Sequence, residues 1–61
     1  MSVLAQRQVD DLVLQLKGLV HVRALLETRG APAAELDAHS DEIARIRAQL
    51  ADRVRELEPA A

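Results

Sequence analysis

The sequence predicts an all-α fold: a two-helix antiparallel, coiled-coil-like hairpin that assembles into a homodimeric four-helix bundle or a larger helical assembly. Three observations predict it. Glycine and proline cluster at one place only, Gly30 and Pro32. The segments on both sides are rich in Ala, Leu, Arg, Gln and Glu, which are strong helix formers. The apolar residues of both segments follow three- and four-residue steps that match across the turn.

The first helix is expected over residues of about 2–29, followed by a turn at residues 30–31. Gly18 is the only helix-breaking residue in the first segment, which contains no proline. Gly30 suits the left-handed position that often follows the last turn of a helix. The single hairpin domain is therefore expected to turn at this glycine.

The second helix is expected over residues of about 32–58. Pro32 suits the first turn of a helix, and no further breaker occurs before Pro59. Ser40, Asp41 and Glu42 resemble a helix start, which leaves a break near His39 as the alternative to one continuous helix. Because the connection between the helices is very short, the two lie antiparallel as neighbours.

The apolar positions of the two helices form a matched seam. When the chain folds at Gly30, positions whose numbers sum to about 62 face each other, so that Leu19 faces Ile43 and Leu16 faces Ile46. Two unrelated helices would not be expected to show this agreement. The predicted self-association seam consists of Val9, Leu12, Leu16, Leu19, Leu26, Leu36, Ile43, Ile46, Leu50 and Leu57.

Polar residues occupy a few positions of the same seam. Arg23 and His39 are predicted to share one polar layer near the turn, which either sets the register of the helices or forms a small polar binding spot. Arg53, opposite Val9, is expected to lay its stem along the seam while its charge reaches water. Ser40 is expected to be a solvated or locally capping hydroxyl.

Helix 1 carries a second apolar stripe on the side opposite the seam. A helix that is apolar on two sides is normally buried between neighbours, so helix 1 is expected to contact something besides helix 2. Gly18 in this stripe would let another helix approach closely. The predicted second interface, here named the outer ridge, consists of Leu4, Leu14, Gly18, Val22 and Leu25.

Catalytic, cofactor and metal sites are not expected. The chain has no cysteine, which removes thiol nucleophiles and thiolate metal ligands. His39 has Glu35 and Glu42 nearby, but the Glu-x-x-His pairs of carboxylate-bridged metal bundles are missing. His21 is expected to be a surface or interface residue. A metal-binding helical bundle is therefore only the third hypothesis.

The charge and composition of the chain argue against a nucleic-acid partner. The formal net charge is −2 and aromatic side chains are absent, so there is neither a strong basic patch nor a stacking platform. In length and layout the chain nevertheless resembles the Rop-type plasmid copy-number regulators, which are two-helix hairpins that dimerise and bind paired RNA loops. This resemblance implies the alternative hypothesis, a nucleic-acid-linked regulator, although the outer ridge carries no basic or aromatic RNA-binding patch.

The favoured hypothesis is a small non-catalytic protein-interaction module that self-associates and docks a partner protein. A single 61-residue chain buries too little surface for a robust core, and no disulfide can compensate. No long apolar run or signal-like start is present, so we expect a cytoplasmic chain that does not contact membranes. The preference for Arg over Lys and the abundant Ala suggest a bacterial genome.

Overall fold

A computed structural model describes residues 3–57, which form two α-helices. Helix α1 spans Val3–Thr28 and helix α2 spans Ala33–Leu57. The helices pack against each other along their length in a rod of 45 × 18 × 13 Å. The predicted helical hairpin is confirmed, and its assembly with further chains remains a prediction.

The connection between the helices is a Schellman turn centred on Gly30. The Gly30 N–H donates to the carbonyl of Glu27 at 3.1 Å, and the Ala31 N–H donates to the carbonyl of Leu26 at 3.0 Å. These two bonds satisfy carbonyls that the end of a helix leaves without partners. The motif requires a left-handed residue, and Gly30 has a φ of 77°. Glycine adopts this conformation without the steric cost that a side chain would impose.

Helix α2 begins immediately after Pro32. The Pro32 carbonyl accepts the N–H groups of Glu35 at 3.0 Å and Leu36 at 3.2 Å, so Pro32 precedes the helix instead of standing inside its first turn. From Ala33 the helix continues without interruption to Leu57. The alternative of a break near His39 is thus wrong, because the backbone at Ser40 remains helical.

The core is a single line of aliphatic side chains between the helices. Only Ile43 and Ile46 are buried among the described residues, with Ile46 1% exposed. The other eight residues of the seam are half-buried, because one neighbouring helix covers only one side of each. They are Val9, Leu12, Leu16, Leu19, Leu26, Leu36, Leu50 and Leu57.

Much aliphatic surface remains outside this core. Of the large aliphatic residues that are exposed within residues 3–57, all but Val54 belong to α1. Neither α1 nor α2 combines the length and the apolar character needed to cross a lipid bilayer. The uncovered aliphatic surface therefore lies on a helix that is too polar to be a membrane span.

Ion pairs between neighbouring side chains lie on the outer surface of α2. Arg45 donates to Glu42, and this hydrogen bond lowers the pKa of the Glu42 carboxyl and raises the pKa of Arg45. Arg53 pairs with Glu56 at 3.2 Å, and Arg55 lies 3.8 Å from Asp52. All are within one helical turn and open to solvent, where water screens the charges, so they add little to stability.

Candidate interaction surfaces

The polar layer of the seam is centred on Arg23. Its Nε donates to Ser40 Oγ at 2.8 Å across the helix interface, and its Nη1 donates to Glu27 Oε2 at 3.0 Å within α1. Within residues 3–57, the bond to Ser40 is the only hydrogen bond between side chains of the two helices. Arg23 is half-buried, so its guanidinium is held at the edge of the core with both bonds formed.

The expected partnership between Arg23 and His39 is replaced by one between Arg23 and Ser40. His39 is half-buried at the seam, but its Nδ1 lies 3.0 Å from the carbonyl oxygen of Glu35 one turn earlier. A carbonyl can only accept, so Nδ1 is the ring nitrogen that donates, and Nε2 is the acceptor of a neutral His39 ring. Within residues 3–57, Arg23 donates to Ser40 and Glu27 and not to this nitrogen. The expectation that Ser40 is solvated or capping was wrong.

A groove with an apolar floor and a basic rim runs along one side of the hairpin near the turn. Two adjoining depressions share Val20, Ala24 and Arg47, and together they form what we name the lateral groove. Lys17 and Arg47 form no salt bridge within the described part of the chain. The remaining lining residues are Leu16, His21, Arg23, Glu27, Ser40, Ile43 and Ala44.

Sequence reasoning did not predict the lateral groove. Val20 and Ala24 lie four residues apart on α1, and Ala44 and Arg47 lie three apart on α2, so each pair shares a helix face. This spacing was an available signal. It indicates a shared face on each helix, but only the packing of the helices shows that the two faces border one groove.

A further groove of the hairpin is polar and lies toward the opposite end of the rod. Arg53 lines it and pairs with Glu56, so the charge of Arg53 is met by a carboxylate. Its other lining residues are Gln8, Asp11, Leu12, Gln49 and Asp52. The two grooves therefore differ in both polarity and charge.

The outer ridge of α1 is uncovered in the single chain. Leu4 and Leu14 are 66% and 67% exposed, and Val22 and Leu25 are 43% exposed. Gly18 is exposed, and no atom beyond its chain neighbours and the adjacent backbone of α1 lies within 4 Å of the position a Cβ would take there. Packing against α2 therefore does not require a glycine at this position.

No group of three or more His, Asp or Glu side chains is arranged to hold a metal ion within residues 3–57. His21 lines the lateral groove, and His39 is engaged with the backbone of its own helix. Comparison with known proteins finds no matching family model, no matching curated protein and no matching solved structure. The surfaces of the hairpin itself are the basis for the functional proposal.

Proposed function

We propose that this chain is a small non-catalytic interaction module of the bacterial cytoplasm that self-associates and docks a partner protein. The observation that carries the proposal is the contrast between the core and the surface. Two residues are buried, while seven large aliphatic side chains within residues 3–57 are exposed. A chain with this distribution gains more from covering its surface with another helix than from any rearrangement of its own two helices.

The size of the uncovered surface supports self-association. Burying one Leu or Val side chain fully is worth about 1.5–3 kcal/mol. A domain of this length has a total stability of only about 3–9 kcal/mol at 0.05–0.15 kcal/mol per residue. Covering Leu14, Val22 and Leu25 would therefore contribute an amount comparable with the stability of the whole hairpin. A homodimeric four-helix bundle, in which the half-buried seam is also covered further, is the simplest such assembly.

The first expected result is that stability depends on protein concentration. An assembly that dissociates when it unfolds is stabilised by mass action, so a hundredfold dilution should lower the thermal unfolding midpoint. Circular dichroism measures the midpoint, and light scattering at the same concentrations measures the mass. Self-association would be contradicted if the unfolding midpoint stays constant over this range and the mass remains that of one chain.

The second expected result locates one contact at the outer ridge. Replacing Gly18 by Leu should lower the mass of the assembly while α1 stays helical. A Cβ added at Gly18 meets no atom beyond its chain neighbours and the adjacent backbone of α1, so α2 does not have to move to accept it. Leu also favours a helix by roughly 1 kcal/mol relative to Gly. Any loss of assembly would therefore come from contacts between chains.

Ala48→Leu is the matched control for the variant at Gly18. Ala48 is exposed on α2, and it lines neither groove. Its enlargement should leave the mass unchanged. If Gly18→Leu gives a more stable chain whose mass and partner binding match those of the control, the outer ridge is not a contact surface.

A further inference from the structure

We propose that the lateral groove binds an acidic amphipathic helix of another protein. This inference rests on the partner-docking part of the proposed function and names the surface and the chemistry of the partner. It uses a different surface from the outer ridge, so it can fail while self-association stands. Four features of the groove support it: its floor, its length, its rim, and the charge that two copies would bring together.

The floor of the groove is apolar and partly open. Val20, Ala24 and Ala44 line it, and Val20 is 44% exposed although it lies beside the seam. Alanines on both helices keep the floor low, and the distance between packed helices depends on the side chains at the contact. A row of Leu or Val side chains from an incoming helix could therefore reach the floor.

The length of the groove suits a helix. Along α1 the lining residues extend from Leu16 to Glu27. At 1.5 Å per residue this segment is roughly 17 Å long, which corresponds to about three helical turns. An amphipathic helix that lays its apolar face in such a groove uses a common mode of peptide recognition.

The rim of the groove supplies the charge preference. Lys17 and Arg47 line it without a salt-bridge partner in residues 3–57, whereas Arg23 already pairs with Glu27 and donates to Ser40. Carboxylates flanking the apolar face of an incoming helix would meet these two cations. Such complementary charges fix the orientation of a partner and suppress binding of basic ones.

The same charges argue against two other occupants. A second copy of this chain, docked groove to groove, would bring the Lys17 and Arg47 cations of both copies together, and like charges across an interface are unfavourable. Single-stranded nucleic acid would meet an aliphatic floor with no aromatic ring for its bases, since the chain contains none. An acidic amphipathic helix would place apolar side chains on the floor and carboxylates beside Lys17 and Arg47.

The test uses two synthetic peptides of about five helical turns that carry Leu on one face. One carries Glu on the flanks of that face, and the other carries Lys at the same positions. Fluorescence anisotropy of labelled peptides with the full chain should show binding of the Glu peptide and about tenfold weaker binding of the Lys peptide. Equal binding of the two, or tighter binding of the Lys peptide, would overturn the proposal.

Paired charge reversals assign the binding to the groove. The double variant Lys17→Glu with Arg47→Glu should lose at least about tenfold in affinity for the Glu peptide. The control, Arg7→Glu with Arg29→Glu, changes the net charge equally at exposed cations outside the groove and should stay close to the unsubstituted chain. Circular dichroism verifies that both variants are helical. Equal losses in the two variants would show that only long-range charge matters and would overturn the proposal.

Two further measurements separate this inference from its alternatives. Light scattering should give the same mass for the groove variant as for the unsubstituted chain, and a lower mass would assign the groove to self-association instead. A labelled RNA hairpin should bind weakly. RNA binding that is tighter than peptide binding and falls steeply with salt would identify the rim as a phosphate site and would likewise overturn the proposal.

Discussion

Replacing Ile46 by Ala is expected to remove a large part of the free energy of unfolding of the hairpin. Ile46 is 1% exposed and is the most deeply buried side chain described in the hairpin. Truncation of a fully buried Ile costs about 2–5 kcal/mol, because the lost transfer free energy is accompanied by a cavity. A domain of this size has only about 3–9 kcal/mol in total. Chemical unfolding followed by circular dichroism would give the loss directly.

Val54→Ala is the matched control for this truncation. Val54 is also an aliphatic residue of α2, but it is 39% exposed, so its truncation removes surface that is partly in water already. We expect a loss of about 1 kcal/mol or less, since each fully buried methylene is worth about 0.8 kcal/mol. Equal losses for the two variants would mean that Ile46 is not at the centre of the core.

Replacing Gly30 by Val is expected to destabilise the hairpin by about 1–2 kcal/mol, the cost of forcing a residue with a side chain into the left-handed region. Gly30 has a φ of 77°, and no atom beyond Gly30 and its two chain neighbours lies within 4 Å of the position of an added Cβ. The loss would therefore come from the backbone conformation and not from a clash with a neighbour. The free energy of unfolding, measured with urea, tests this expectation.

Gly30→Asn distinguishes the conformational cost from a general effect of adding a side chain. Asn enters the left-handed region more readily than other residues with side chains, and it is the common alternative to Gly at this position of a helix end. We expect it to cost clearly less than Val. If both variants lose the same free energy, the left-handed backbone at residue 30 is not the cause.

The hairpin was predictable because its determinants are local. Gly30 and Pro32 specify where one helix ends and the next begins, and the steps between apolar residues place Ile43 and Ile46 on the face toward α1. Each of these signals depends only on neighbours in the chain. The same reasoning favoured an uninterrupted α2, which the structure contains.

The sequence predicts that Arg23 lies at the seam, but it does not predict which residue of α2 it contacts. Arg23 was expected at the seam and is half-buried there, but its partner is Ser40 and not the adjacent His39. Neighbouring residues of a helix differ by about 100° in direction, so the choice between them depends on how each helix is rotated about its axis. Residue spacing alone does not determine that rotation.

The outer ridge and the lateral groove also differ in how far the sequence predicts them. The outer ridge was visible in the sequence because one helical stripe contains it, and its residues are exposed in the single chain. The lateral groove combines residues from α1 and α2 and becomes recognisable only when the helices are packed. What covers the outer ridge depends on a second molecule, so its role as an interface stays a prediction.

The hydrogen bond between Arg23 and Ser40 also bears on how the helices resist sliding. All ten seam residues are aliphatic, and a shift of α2 along α1 by one turn, about 5.4 Å, would exchange one aliphatic neighbour for another. Such a shift would carry Ser40 Oγ far beyond the 2.8 Å at which Arg23 Nε now donates to it. The guanidinium would then lie half-buried at the interface without its acceptor on α2. This bond therefore fixes the position of α2 along α1, which the similar aliphatic side chains of the seam specify only weakly.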